Sequence, residues 1–355
     1  MKLEDLGYNA VLENYRQESH LDTFNIGRVI SEHKDRYTVK TNAGEFNAEL
    51  IGNLRYTAES RNDLPAVGDW VAISEYDEDK ALIHAILPRH SLIERQAVGK
   101  SGRKQIIATN IDYGLIVQAV NRDFNINRLE RYLTICNASN VEPIIILNKI
   151  DLINEVELKS LLSQIKERIK DKLIIAISNE TLVGLDKLTA FIKKGKTYCL
   201  LGSSGVGKST LLNNLKGKEV MQTGAISQSI DRGKHVTSHR ELIVLDSGGI
   251  LIDNPGMREV GITDSTVGLE ITFEAIVQLS KDCKFKDCSH TTEVGCAVLS
   301  AVDNGAIDQS SYENYLKMGR EKEHFESTIA ERRKKDKNFG KMIKQIKKDR
   351  NTKEY

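Results

Sequence analysis

The spacing of apolar positions changes character twice along the 355 residues. Residues 1 to about 20 show no sustained period and predict a weakly ordered lead-in with one short helix. From Asn25 to Ile93 apolar and polar positions alternate in short runs, at 27–31, 37–40, 45–50, 69–73 and 81–86. Turn formers such as Asn42-Ala43-Gly44 and Asp77-Glu78-Asp79 separate them. A period of two predicts half-buried strands. Five of them in close succession predict a small closed barrel of the oligonucleotide-binding (OB) type. Such barrels often bind RNA on one face, the alternative being a barrel that only packs on its neighbour. The stretch from Arg95 to Asn110 is polar around Gly99-Lys100-Ser101-Gly102-Arg103-Lys104 and predicts an exposed linker.

From Ile111 the texture becomes α/β. Runs of buried-strand type at 112–120, 141–147, 173–177, 197–201 and 250–253 alternate with helical spacing at 127–140, 155–170, 185–193 and 211–215. On the first of these helices Leu129, Tyr132, Leu133 and Cys136 share a face. Apolar strands alternating with helices predict a parallel sheet covered on both faces. Further on, 297–304 and 312–348 read as helices, the latter rich in charge.

Candidate chemistry sits at the ends of these strands. Gly202-Ser203-Ser204-Gly205-Val206-Gly207-Lys208-Ser209-Thr210 follows a strand and opens a helix, which is the pattern of a phosphate-binding loop. Its backbone N–H groups would face phosphate oxygens at the positive end of the helix, Lys208 would reach the β- and γ-phosphates, and the Ser209 hydroxyl would ligate Mg²⁺. At the end of an earlier strand stands Asn148-Lys149-Ile150-Asp151. The Asp151 carboxylate can accept from N1–H and the exocyclic amine of guanine. Adenine offers neither, so it would leave a polar partner unmatched at about 1–3 kcal/mol or more. Asn148 would tie this loop to the phosphate loop, and the Lys149 stem would cover the base.

Asp253 ends another strand and would hold Mg²⁺ through water, with the Gly256 N–H meeting the γ-phosphate. The segment 232–240 suits a loop that closes over Mg²⁺ and γ-phosphate, with Thr237 as ligand and Ser238 its rival. Met257 follows Gly256 and cannot orient water, so His235, another switch residue or a partner must do so. The base-reading motif precedes the phosphate loop, the reverse of the usual order, which a circular permutation of one sheet explains.

Composition alters this picture in three ways. A hydrophobic fraction of 40% and a charged fraction of 28% suit a soluble globular chain, and no apolar run approaches a membrane span. The opening Met1-Lys2-Leu3-Glu4-Asp5 is acidic, unlike a secretory signal. The net charge of +1 hides a basic tail: from Lys317 to Tyr355 there are 14 Lys/Arg against 7 Asp/Glu. A basic tail on a slightly acidic body points to a polyanion, most often nucleic acid, the alternative being a solvated helix face. Finally, three of the five cysteines fall in 283–296. Cys283, Cys288, His290 and Cys296 make a Cys₃His set suited to one closed structural Zn²⁺ site, whereas Cys136 and Cys199 read as core residues.

With these residues in view, the chain resembles the circularly permuted, small-ribosomal-subunit-dependent GTPases of the RsgA (YjeQ) family. The resemblance runs over nearly the whole chain. It rests on Asp63-Leu64-Pro65-Ala66-Val67-Gly68-Asp69-Trp70, on Asp123-Phe124-Asn125-Ile126-Asn127-Arg128-Leu129-Glu130-Arg131-Tyr132-Leu133, on the 148–151, 202–210 and 253–258 stretches, and on the cysteine cluster. It implies an N-terminal OB-type β-barrel (1–95), a central circularly permuted α/β P-loop GTPase domain (96–262) and a C-terminal zinc-binding module with a basic helical tail (263–355). It further implies a GTP hydrolase that uses GTP/GDP and Mg²⁺ and acts with the small subunit and its rRNA in late maturation; the odd, clustered cysteines point to the reducing cytoplasm, and a monomer is expected. No membrane partner is expected, and with Met257 in place of a water-orienting residue hydrolysis is predicted to be slow alone and accelerated by subunits. A nucleotide-gated RNA-binding scaffold with incidental hydrolysis is the alternative, and an ATPase a third reading. Two departures stand out. Asp253-Asn254-Pro255-Gly256 replaces the family's Asp-Thr-Pro-Gly, and Ser178-Asn179 replaces the Ser-Ala that backs the guanine. Gly205 stands where potassium-using GTPases often carry Asn, so no potassium site is expected.

Overall fold

The computed structural model describes residues 1–33, 36–96, 104–121, 124–217, 240–253 and 266–326. After a helix α1 (Ala10–Glu18), the strands β1 (Asn25–His33), β2 (Arg36–Lys40) and β3 (Glu45–Leu50), the short helix α2 (Gly52–Thr57), and the strands β4 (Trp70–Asp77) and β5 (Lys80–Ile86) follow in order. They pair as β1-β2-β3-β5-β4, and β4 returns to β1 to close a barrel. Only the β3–β5 pair is parallel. The alternation seen in the sequence is the cause: Phe46 and Ala48 point inward while Glu45 and Asn47 stay exposed. Val29, Val39, Val71, Ile73, Ala81 and Ile83 fill the rest of the interior.

Two expectations for the first hundred residues need correction. The N-terminal lead-in is docked rather than loose. Leu6 and Leu12 pack with Ile26, Trp70 and Leu87, and the Tyr8 ring meets Trp70 edge-on at 5.0 Å. The expected linker is largely a hairpin of β6 (Leu92–Gln96) and β7 (Lys104–Thr109). Its Ile93, Ile107 and Ala108 enter the core of the next unit.

That unit continues through β8 (Tyr113–Ala119), α3 (Ile126–Ala138), β9 (Glu142–Asn148), α4 (Glu155–Arg168), β10 (Ile174–Ala176), α5 (Leu185–Phe191), β11 (Thr197–Leu201), α6 (Lys208–Lys216), β12 (Glu241–Val244) and β13 (Ile250–Asp253). The strand order is β10-β9-β8-β11-β13-β12, parallel except for β12. One face buries Ile116, Leu133, Ile145, Leu201 and Ile252, and the other Leu115, Ile146, Leu188, Leu200 and Leu251. Such two-sided burial is what the unbroken apolar strands require.

Arg28 of β1 holds barrel and sheet together. Its side chain is 1% exposed and donates to Gly68 O, Leu6 O, Asn110 O and Thr197 Oγ1 at 2.5–3.1 Å. Burial pulls its pKa down to about 10, against the opposing charges of Asp112 and Asp69, which leaves it cationic at neutral pH. Four acceptors thus compensate a cation that would be costly if unpaired. The barrel also joins the sheet directly, Ser31 of β1 lying opposite Glu241 of β12.

The C-terminal module holds α7 (Thr266–Thr272), α8 (Glu274–Ser280), α9 (Ala297–Asp303) and α10 (Gln309–Glu326) around Leu269, Phe273, Ile276, Val298 and Met318. It grips α3. A Cβ on Gly268 would come within 2.4 Å of Thr134 O, so only glycine permits this close approach of α7 to α3. The buried Glu130 carboxylate accepts from Arg168 Nε and Nη2, Ser311 Oγ and Asn314 Nδ2 at 2.6–2.8 Å. Arg131 forms a two-bond pair with Glu321.

Candidate nucleotide site and metal centre

The parallel strands deliver three loops to one edge of the sheet. Register pairs Leu201 with Ile116, Ala119 with Asn148, and Cys199 with Ile252. The phosphate loop after β11, the base-reading loop after β9 and Asp253 at the end of β13 therefore all lie at the carboxyl ends of the strands, where open α/β sheets bind ligands.

The phosphate loop is shaped by close approach. Gly202 has φ 140°, and a Cβ there would meet Val117 O at 2.3 Å. Gly207 has φ 98°, and a Cβ would meet Asn148 Nδ2 at 2.3 Å and Asn179 Nδ2 at 2.9 Å. Val206 is buried beneath the loop, while Ser204, Gly205, Ser209 and Thr210 are exposed. Lys208 opens α6, and its Nζ donates to Gly202 O at 2.8 Å and Ser203 O at 2.6 Å. The ammonium thus sits within the curl of the loop. Burial raises the phenol of Tyr132 of α3 above its usual range, opposed by Ser203, Arg128 and Arg131.

The base-reading loop is fastened to the phosphate loop. Asn148 is fully buried, and its Nδ2 donates to Val206 O at 2.7 Å. Its Oδ1 accepts from Asn179 N at 3.2 Å. Lys149 adopts φ 66°, a left-handed conformation unusual for lysine, at the turn from buried Asn148 to exposed Ile150-neighbouring Asp151. Such outliers concentrate at ligand sites. Ser178 Oγ donates to Asp151 Oδ1 at 2.5 Å and accepts from Glu180 N and Thr181 N, so it aims the carboxylate. The carboxylate keeps capacity for more donors, since each of its oxygens can accept two.

Asp253 lies half-buried beside the phosphate-loop strand. Ser209 and Asp253 offer the hard oxygen donors that suit Mg²⁺. Thr237, His235 and Gly256, expected to complete the switch, lie outside the described residues, as does the tail beyond 326.

The second site is in the C-terminal module. Cys283, Cys288, His290 and Cys296 place their ligand atoms within 4.8 Å of one another. Cys283 Sγ is 3.8 Å from Cys296 Sγ, and His290 Nδ1 is 3.6 Å from Cys283 Sγ and 3.4 Å from Cys296 Sγ. Donors around a tetrahedral Zn²⁺, with Zn–S about 2.3 Å and Zn–N about 2.0 Å, lie about 3.5–3.8 Å apart. The donor set and spacing therefore fit a closed tetrahedral metal, with Nδ1 as the ligating nitrogen. Around it, Leu299 N donates to Cys296 Sγ, and Tyr312 OH donates to His290 O at 2.6 Å. Glu293 gathers Ser289 N, Thr291 N and Thr292 N, shaping the loop that carries His290.

Two contacts have no signal in the sequence beyond the departure from Ser-Ala at 178–179: Asn179 Nδ2 donates to Gly207 O at 2.9 Å, and Asn214 Nδ2 donates to Asn179 O at 3.1 Å.

Fold and site define a P-loop nucleotide-binding protein whose sheet keeps its strand neighbours while the chain visits them in permuted order. A family model described as RsgA GTPase matches residues 86–263. A relative in Lactiplantibacillus plantarum, Small ribosomal subunit biogenesis GTPase RsgA 2, is 44% identical over 83% of each chain. One from Bacteroides thetaiotaomicron, Small ribosomal subunit biogenesis GTPase RsgA 1, is 37% identical over 96% of each. Among solved structures, YjeQ from Thermotoga maritima superposes with a TM-score of 0.60 at 27% identity, covering 83% of this chain and 96% of that one. YloQ, a circularly permuted GTPase, gives 0.61 at 24%, covering 87% and 99%, and bears on the fold alone. The chain belongs to the RsgA GTPase family. An ABC transporter model also matches, over residues 185–345. That span includes the loop at 202–210 and excludes Asn148–Asp151.

Proposed function

We propose that this chain is a GTP hydrolase that works on the small ribosomal subunit during its late maturation, in the cytoplasm and as a monomer. The observation that carries the nucleotide assignment is the pair of hydrogen bonds at Asn148, whose Nδ2 donates to Val206 O and whose Oδ1 accepts from Asn179 N; in this reading residues 148–151, 178–179 and 202–210 form one continuous receptor. In this reading Asp151, set by Ser178, selects guanine. Lys149 covers the base with Ile150 beside it, and Lys208 with the 202–210 backbone binds the phosphates. Ser209, Asp253 and Thr237 would hold Mg²⁺, whose charge offsets that of the phosphate oxygens when bound. Gly256 senses the γ-phosphate, and His235 or Thr237 helps to order the attacking water. Cys283, Cys288, His290 and Cys296 hold one structural Zn²⁺. The reading divides the chain at 1–95, 96–262 and 263–355, with the β6–β7 hairpin as the joint between the first two units.

The subunit and its rRNA are the partners that the relatives' names suggest, and a barrel of OB topology and a basic tail suit such a partner. Among the described residues no helix is long and apolar enough to cross a membrane. GTP turnover measured with and without purified small subunits tests the assignment. Slow turnover alone and at least a tenfold rise with subunits is expected, because an arginine or ordering group supplied in trans adds about 10³-fold or more in related phosphoryl transfers. Fast turnover that subunits leave unchanged would overturn it.

A further inference from the structure

We infer that Asn179 is a positioning residue that sets how long a guanine nucleotide stays bound, by locking the base loop to the phosphate loop; this rests on the guanine reading above. Asn179 spans the two loops with both its backbone and its side chain. Its N–H donates to Asn148 Oδ1 at 3.2 Å, and its Nδ2 donates to Gly207 O at 2.9 Å. Asn214 of α6 donates back to Asn179 O at 3.1 Å. Asn148 and Asn179 thereby grip consecutive carbonyls of the phosphate loop, Val206 O and Gly207 O. Gly207 has no room for a Cβ because these two amides press on it.

The geometry has a direct consequence for release. The base loop holds one end of the nucleotide and the phosphate loop the other, so the ligand leaves most easily when the two loops part. Asn148 alone would resist parting with one side-chain bond to the phosphate loop. Asn179 adds a second, to the next carbonyl, and through Asn214 it ties in the helix that begins at Lys208. The Asn179 loop is itself stiff, because Ser178 N donates to Val183 O and Ser178 Oγ caps Glu180 N and Thr181 N. Alanine, the residue that the family resemblance leads one to expect here, would make the backbone contact but not the side-chain one.

The test is the release rate of a fluorescent GDP, chased by unlabelled GDP, from the full chain and from Asn179→Ala and Asn179→Asp, with thermal melts confirming that each variant is folded. Losing one neutral hydrogen bond should speed release about three- to tenfold in Asn179→Ala. Asn179→Asp keeps the shape but removes the donor and sets a carboxylate against Gly207 O, so it should release faster than Asn179→Ala. A residue that merely filled space would give the opposite order, with the isosteric aspartate near the unsubstituted rate. That order, or both variants at the unsubstituted rate, would overturn the inference while leaving the guanine site standing. Failure of the unsubstituted protein to bind the fluorescent GDP at all would reject the guanine reading, and this inference with it.

Discussion

Lys208→Ala is expected to lower affinity for GTP and GDP by at least about a hundredfold while leaving the fold intact. The ammonium sits inside the phosphate loop, held by Gly202 O and Ser203 O. It is the one side-chain cation contributed by the 202–210 stretch. Contacts from a cation to phosphate oxygens are charge-assisted, and each is worth about 1.5–3 kcal/mol. Two such contacts, to the β- and γ-phosphates, amount to a factor of about 10² to 10⁴ in binding. The loop stays anchored by buried Val206 and by the bonds from Asn148 and Asn179, so melting should change little. Fluorescence titration with labelled GDP reads the effect. Affinity within a few-fold of the unsubstituted protein would remove the phosphate assignment from this loop.

The second large effect concerns the metal. Stripping the chain with a chelator, or replacing Cys288 by Ser, is expected to unfold the C-terminal module without abolishing nucleotide binding. The module's core is small, built on Leu269, Phe273, Ile276, Val298 and Met318. Small cores of this kind depend on staples. A structural zinc contributes on the order of 10–16 kcal/mol in isolated finger peptides, more than such a core supplies alone. Loss of far-ultraviolet helical signal and new proteolytic cleavage after Lys281 or Lys284 should follow chelation, and one equivalent of zinc should be released. GDP affinity should stay within about twofold, as for remote sites that share no partner. A module that keeps its protection after complete metal removal would show that the Cys₃His set is not its staple.

The two sites differ in how they were written in the chain. The glycine spacing with Lys208 and the Asn148–Asp151 tetrad stood out in the sequence because binding of phosphate or guanine imposes fixed residue types at fixed separations, and the structure brings these loops to one edge of the sheet. The Cys283, Cys288, His290 and Cys296 set stood out for the same reason, and the structure gathers the four side chains. The barrel strands and the parallel sheet followed from apolar spacing, and the strand bounds at 45–50 and 197–201 agree with the structure. What was not legible depends on partners distant in sequence. Arg28 occupies a strand position that local pattern assigns to solvent, yet it is buried against Leu6, Gly68, Asn110 and Thr197. Polar residues around 97–104 obscured the hairpin, although Ile106-Ile107-Ala108 was an available sign of burial. Helix α3 reads as one amphipathic face, but three of its sides are used: the sheet, α7 through Gly268, and α10 through Glu130 and Arg131.

Competition between guanine and adenine nucleotides for the bound fluorescent GDP tests the central claim most directly. GDP should displace the label at concentrations at least about a hundredfold below those needed for ADP, because adenine cannot satisfy Asp151. Asp151→Ala should erase most of that preference while phosphate-driven binding persists. Equal displacement by ADP and GDP from the unsubstituted protein would contradict the account, since the loops at 148–151 and 202–210 would then not be reading one guanine nucleotide between them.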